Sequence, residues 1–315
     1  MIYAGITLYP FKYFVILKQI VKILRVKSES AGSNSVETSE TLRNGIVINL
    51  EKIRLISEHR PVHLKPLNNK ELGYYLAGII DGNGHFNNKQ ELVIVFNLLD
   101  IQLAYFLKKE IGYGTVKKIM DKNAVLLIIS DNKGIEKVIC LINGKFRSVL
   151  KFDEISENIL SNEKYFHFSK SVVLSLNLDN SIENYWLAGF SDVNANVEFQ
   201  INFINKNNRL EVQLNYQINQ EKDYLLILIK NYLGGHIGYK KNEDTYYYDS
   251  VNYGSAKKVI NYYDRYHLQS TKYINYLKWR KTYLLIQNKR HLTKLGIVKI
   301  EKLKNSMNRY LNITI

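Results

Sequence analysis

The sequence predicts an α+β fold, duplicated about a pseudo-twofold axis, in which two antiparallel, saddle-shaped sheets are joined by a central pair of helices. Three observations carry this expectation. A nine-residue phrase occurs twice, Leu76-Ala77-Gly78-Ile79-Ile80-Asp81-Gly82-Asn83-Gly84 and Leu187-Ala188-Gly189-Phe190-Ser191-Asp192-Val193-Asn194-Ala195, 111 residues apart, which marks an internal duplication. Between Leu210 and Asn219 apolar and polar residues alternate without a break: Val212, Leu214, Tyr216 and Ile218 face one way, Gln213, Asn215, Gln217 and Asn219 the other. That period of two is the mark of a half-buried antiparallel strand. The order helix, strands, helix, strands, helix then recurs after each copy of the phrase.

In chain order, residues 1–65 read as a basic extension and linker, with the small, polar stretch 28–46 as its flexible part. The first repeat spans 66–180 and opens with the aromatic lead-in Leu72-Gly73-Tyr74-Tyr75; its strands are expected at 92–96 and 124–129, its helices at 99–110 and 133–142. The connector is Asn177-Leu178-Asp179-Asn180-Ser181. The second repeat, 181–275, has the matching lead-in Glu183-Asn184-Tyr185-Trp186, strands at 197–201, 210–219 and 245–248, and helices at 221–232 and 255–264. Its later segments drift to an offset of 121, judged from Ile139 and Ile260, so loops have lengthened while the order of elements has held. A basic helical segment, 276–315, closes the chain. Each repeat is long enough for a core, yet neither ends in a capping surface, so the two are expected to share one.

Lys and Arg number 44 against 29 Asp and Glu, a net charge of +15. A polyanionic partner follows, because phosphate neutralisation dominates nucleic-acid binding. The excess is terminal: residues 1–27 carry +5 and residues 276–315 carry +9, which leaves +1 for everything between. In the last segment Tyr276, Trp279, Tyr283 and Leu284 interleave with Lys278, Arg280 and Lys281, as in a helix that packs one side and offers the other to a phosphate backbone. The amides Gln213, Asn215 and Gln217 suit base edges, and the basic pairs Lys117–Lys118 and Lys240–Lys241 stand at matching places in the two repeats. A single cysteine, Cys140, excludes an intrachain disulfide and a cysteine-based zinc site. Lys12, Lys18 and Lys22 interrupt the apolar stretch near the start, so no membrane span is expected. That start suits either a mitochondrial transit peptide or upstream exon sequence fused to an intron reading frame.

The paired phrases, their lead-ins and their sequels resemble the LAGLIDADG homing endonuclease family in its two-repeat, single-chain form, encoded in organellar introns. The resemblance covers roughly residues 70–290 and adds Ser39-Glu40-Thr41-Leu42-Arg43, which is similar to intron-encoded members. It implies that Ala77 and Gly78 pack closely against Ala188 and Gly189, where missing side-chain bulk lets two helix backbones meet. In the family an acid at the eighth position of each phrase holds Mg²⁺ over a scissile phosphate. Here both eighth positions are asparagine, Asn83 and Asn194. A neutral amide offers a dipole where two-metal displacement needs a full charge; loss of one catalytic electrostatic group costs about 100-fold or more. The sixth-position acids, Asp81 and Asp192, lie two residues away, about 200° round a helix, and read as helix-end groups bonded to backbone. The family also places a basic residue near each scissile phosphate; Lys151 and Lys272 are the matches by position, expected here as phosphate contacts.

The expected function is therefore that of a maturase, an intron-encoded protein that binds group I intron RNA and assists its splicing, with no metal or other cofactor. Two alternatives stand beside it: a homing endonuclease cutting a long DNA site with Mg²⁺ at Asn83 and Asn194, and a structural subunit of an organellar ribonucleoprotein. The expected partners are intron RNA, a DNA target or both, with or without a protein splicing helper, and no membrane. The expected state is a monomer in the mitochondrion.

Overall fold

The computed structural model describes residues 55–307 except 121, 207 and 208, together with backbone alone at 206 and 209. The expectations for the basic start, the 28–46 linker and the last eight residues lie outside these.

Helix α1 (Asn69–Asn83) is capped by Asn68, whose side chain accepts from the Glu71 amide at 2.9 Å, while the Glu71 carboxylate accepts from the Leu67 amide at 2.7 Å. One orphan donor of the first turn is thereby satisfied, and the residue before the cap is tied back to the helix. The chain continues through β1 (Gly84–Phe86), β2 (Leu92–Asn97), α2 (Ile101–Ile111), β3 (Thr115–Lys118), β4 (Ala124–Ile129), α3 (Asn132–Ile142), α4 (Val149–Glu154) and α5 (Phe166–Ser171). The second half repeats the plan: α6 (Trp186–Val193), β5 (Val197–Lys206), β6 (Arg209–Gln220), α7 (Tyr224–Leu233), β7 (His236–Lys240), β8 (Thr245–Asp249) and α8 (Tyr253–Tyr263). Two helices follow, α9 (Lys272–Gln287) and α10 (Lys294–Ser306).

Each half holds a four-stranded antiparallel sheet, ordered β1-β2-β4-β3 and β5-β6-β8-β7. The short strands β1 and β3 lacked a period long enough to read from sequence, and β5 runs five residues beyond the expected end at 201. Pairing follows burial. Leu92, Ile94 and Phe96 lie inward beside Val125, Leu127 and Ile129; Val197, Phe199 and Ile201 lie inward beside Leu214, Tyr216 and Ile218. The second half fills its core with aromatics, among them Tyr216, Tyr263, Tyr276 and Trp279. The hydroxyls of Ser191, Tyr216 and Tyr263 close a buried ring at 2.9, 2.7 and 2.6 Å, which satisfies three polar groups together.

Helices α1 and α6 cross at backbone contact. A Cβ built on Gly78 would stand 1.9 Å from the Trp186 carbonyl oxygen, and one on Gly189 would stand 2.0 Å from that of Tyr75. Tyr75 and Trp186 hold the same place in the two copies, so the crossing is reciprocal. Ala77 and Ala188 are fully buried beside it.

Helix α9 runs across position 276, where the basic segment was expected to begin, and its cationic side needs correction. Tyr276, Trp279 and Tyr283 pack inward as expected, but Arg280 does so too, at 4% exposure. Its guanidinium donates to both Asp264 oxygens and to the carbonyls of Ser57 and His59 at 2.9 and 3.2 Å. Arg280 thus joins the segment at Ser57 and His59 to the end of α8, and those bonds occupy Nε and one terminal nitrogen of the guanidinium.

Candidate functional site at the paired helix ends

The crossing brings the ends of α1 and α6 to the middle of the molecule. Asn83 is the last residue of α1; its side-chain amide is exposed and donates to the Val95 carbonyl at 2.9 Å. Asn194 caps α6, is buried, and accepts the Asn196 amide at 2.9 Å through its side-chain oxygen. The ninth positions differ for a steric reason. A Cβ at Gly84 would stand 2.7 Å from Ile80 Cα, whereas α6 stops one residue sooner in the phrase and Ala195 fits.

Two cavities of about 480 and 440 Å³ open at this point. Lys151 and Asp81 line the first and Lys272 and Asp192 the second, while Asn83 borders both. Among the described residues no group of three or more His, Cys, Asp or Glu is placed to hold a metal. The donors at the two helix ends, neutral amides already bonded to backbone, do not fit Mg²⁺.

Asp81 accepts the Arg147 and Ser148 amides at 2.7 and 3.1 Å, and Asp192 accepts the Gln269 and Ser270 amides at 2.8 and 3.0 Å. Each acid thus anchors the loop that opens a later helix of its own repeat. Each also takes one donor from the other repeat: the Trp186 indole N–H meets Asp81 at 2.7 Å, and the Tyr75 hydroxyl meets Asp192 at 2.6 Å. Ser270 adds its hydroxyl to Asp192 at 2.5 Å. Burial raises both carboxyls, Asp81 to about 6 against the pull of its hydrogen bonds. Aromatic donors at one place in both lead-ins were visible in the sequence; their partners were not.

Lys272 donates to the carbonyls of Ser191, at 2.8 Å, and Asn194, so its charge sits on the orphan carbonyls of α6. Burial lowers it to about 8. Lys151 pairs with Glu154 at 2.7 Å. Glu154, which sequence reasoning passed over, also accepts the Phe86 amide at 2.9 Å and lies 3.3 Å from the His85 ring. It ties β1 to α4 across 68 residues, a distance at which no local spacing could signal it.

The expected nucleic-acid contacts are scattered. Lys117 and Lys118 are exposed on β3 and Lys281 on α9. Lys240 pairs with Glu243 at 3.3 Å beside exposed Lys241. Lys278 donates to the Ser306 carbonyl and so fastens α9 to α10. Gln213 and Gln217 remain half-exposed on β6, but Asn215 is buried and donates to Asp249 at 3.0 Å. The outward faces of the two sheets differ in kind. At the centre of the first sheet Val93 opposes Ile128 and Val95 opposes Leu126, an aliphatic patch edged by His85, Thr115 and Lys117; in the second Gln200 opposes Asn215 and Asn202 opposes Gln213, an amide surface with Glu198 and Asp249 in the next row.

This architecture and this helix crossing define a duplicated LAGLIDADG protein. The model of the LAGLIDADG endonuclease family matches residues 187–283. An "Uncharacterized cox1 intron-2 37.2 kDa protein" of Schizosaccharomyces pombe is 56% identical over 284 residues, covering 90% of this chain and 86% of that protein. The "Intron-encoded DNA endonuclease aI3" of Saccharomyces cerevisiae is 28% identical, over 74% of this chain and 68% of its own length. The "Intron-encoded RNA maturase bI4" of the same species is 22% identical over 73% of this chain but 35% of its own length. Among solved structures, the LAGLIDADG meganuclease I-AabMI bound to uncleaved DNA superposes with a TM-score of 0.60 at 22% identity, covering 75% of this chain and 99% of that one. The chain belongs to the LAGLIDADG endonuclease family.

Proposed function

We propose that this chain is a mitochondrial, intron-encoded maturase: it binds the RNA of its host group I intron and assists splicing, with DNA cleavage lost. One observation carries the reading. Both metal-bearing positions of the family are asparagine, and both side chains are spent on backbone groups, Asn83 on Val95 and Asn194 on Asn196. The scaffold round them is intact, with a glycine-to-backbone crossing and buried acids that hold its loops. One observation supports an RNA role: relatives named for introns, one of them an RNA maturase.

The test is splicing of precursor RNA carrying the host intron, with and without the purified protein at fixed Mg²⁺ and salt. A rise in the splicing rate is expected, and an unchanged rate removes the assignment. In parallel, intronless target DNA is incubated with the protein and Mg²⁺. A double-strand break there would establish the second reading, an active homing endonuclease, which the relative named a DNA endonuclease favours.

A further inference from the structure

The outward face of the second sheet holds an aromatic ring that the core does not need. On β8, Tyr248 is buried opposite Ile218, so its neighbour Tyr247 points outward, paired with Asn219 on one side and Gly238 on the other. The ring leans across Gly238: a Cβ there would stand 2.3 Å from Tyr247 Cζ and 2.4 Å from its hydroxyl. Absence of a side chain at 238 lets the ring lie over the sheet. Exposed His236 approaches it edge-on at 6.4 Å between centroids, and the histidine shares the next outward row with Asp249, Gln217 and Glu198.

We infer that RNA is read on the second sheet, with an unpaired base stacked on Tyr247 and its edge met by the neighbouring amides, while the aliphatic centre of the first sheet lies outside the footprint. This rests on the RNA-binding reading above and deepens it. Side chains cannot enter the narrow major groove of A-form RNA, so sequence-specific recognition falls on unpaired bases stacked on aromatic rings. Tyr247 with Asn219 and Gln217 offers both a flat ring and hydrogen-bonding groups. The first sheet offers Val93, Val95, Leu126 and Ile128 at its centre, against which a base edge would be desolvated with nothing to bond.

A ring laid on a strand glycine also steadies a hairpin, and the choice of variants separates the two roles. Leucine and phenylalanine both cover Gly238, but only phenylalanine stacks on a base. Affinity of the full chain for host intron RNA is measured at fixed salt, with thermal melting as a check on folding. Tyr247→Leu is expected to weaken binding about tenfold or more. Tyr247→Phe should bind close to wild type, because it keeps the stack. A Val95→Thr, Leu126→Thr double variant should leave affinity unchanged. Binding by Tyr247→Leu equal to wild type, or an equal loss in the first-sheet variant, overturns the inference and leaves the RNA reading standing. Wild-type binding no tighter than to an unrelated RNA of the same length overturns both.

Discussion

Substituting Gly189 by alanine tests the helix crossing at its tightest point. The added Cβ would stand 2.0 Å from the Tyr75 carbonyl oxygen, 2.9 Å from its carbon and 3.1 Å from the Ile79 nitrogen, all backbone atoms. Ordinary carbon-to-oxygen contact begins near ~3.3 Å, so the helices must part by about 1.3 Å. That movement acts on bonds that span the crossing. The Trp186–Asp81 separation, 2.7 Å in the native protein, would stretch toward ~4 Å, beyond hydrogen bonding. Overpacking costs ~1–3 kcal/mol and a lost bond to a buried carboxylate ~1.5–3 kcal/mol, while alanine returns up to ~1 kcal/mol of helix propensity. The net expectation is a loss of about 3 kcal/mol. Urea unfolding followed by tryptophan fluorescence suits the measurement, because Trp186 and Trp279 are both fully buried. Gly254→Ala is the control. In the first turn of α8 its nearest neighbour would be the Asn252 side-chain oxygen at 3.4 Å, and stability should hold or rise slightly. A loss below ~1 kcal/mol at Gly189, within the scatter of ordinary substitutions, would refute the claim that backbone contact sets the crossing.

Three further outcomes are expected. Burial pushes Asp81 up to about 6 in the folded protein against ~3.9 unfolded, so the native state keeps a proton that the unfolded state releases; the contribution of this group to stability is fully present below pH ~4 and is lost as pH rises through ~6, by up to ~3 kcal/mol. The stability advantage of wild type over Asp81→Asn should shrink by that amount between pH 4 and pH 7, and a pH-independent difference would show that folding leaves this carboxyl unshifted. Arg280→Ala should destabilise by about 3 kcal/mol through its lost buried packing and the half-buried Asp264 it abandons and Lys281→Ala by less than ~0.5 kcal/mol, both read by urea unfolding. Calorimetric titration with Mg²⁺ should show saturable binding in an Asn83→Asp, Asn194→Asp double variant and none in wild type; equal affinity in both would mean that the missing charges are not what excludes the ion.

The duplicated α+β plan was legible because the repeated phrase and the alternation of Val212, Leu214, Tyr216 and Ile218 are local patterns that burial imposes directly. Arg280 misled because charge was read as exposure. It stands four residues after Tyr276 and three before Tyr283, on the same helical face as the core, and Asp264 at the end of α8 with the carbonyls of Ser57 and His59 makes that position tolerable. Asn215 misled for a related reason: the alternation gave its face correctly, but Asp249 on the neighbouring strand draws it under cover. At the helix ends, sequence identified Asn83 and Asn194 as the departures from the family, yet not the backbone groups they bond. The Asn196 amide lies two residues from Asn194 and makes a local Asx turn, but the Val95 partner of Asn83, like the reach of Lys272 to the carbonyls of α6, depends on how separate elements are brought together.

The exchange of aromatic donors between the two halves makes them mutually dependent. Were the polypeptide severed between α5 and α6, the amino-terminal piece would carry Asp81 without an indole and the carboxy-terminal piece Asp192 without a phenol, each a buried carboxyl short of one proton donor. Neither piece could satisfy its own acid, because the tyrosine sits on the helix of Asp81 and the tryptophan on that of Asp192. The two would instead recover the native arrangement by finding each other, so this gene could be split into a working heterodimer more readily than trimmed to a single repeat.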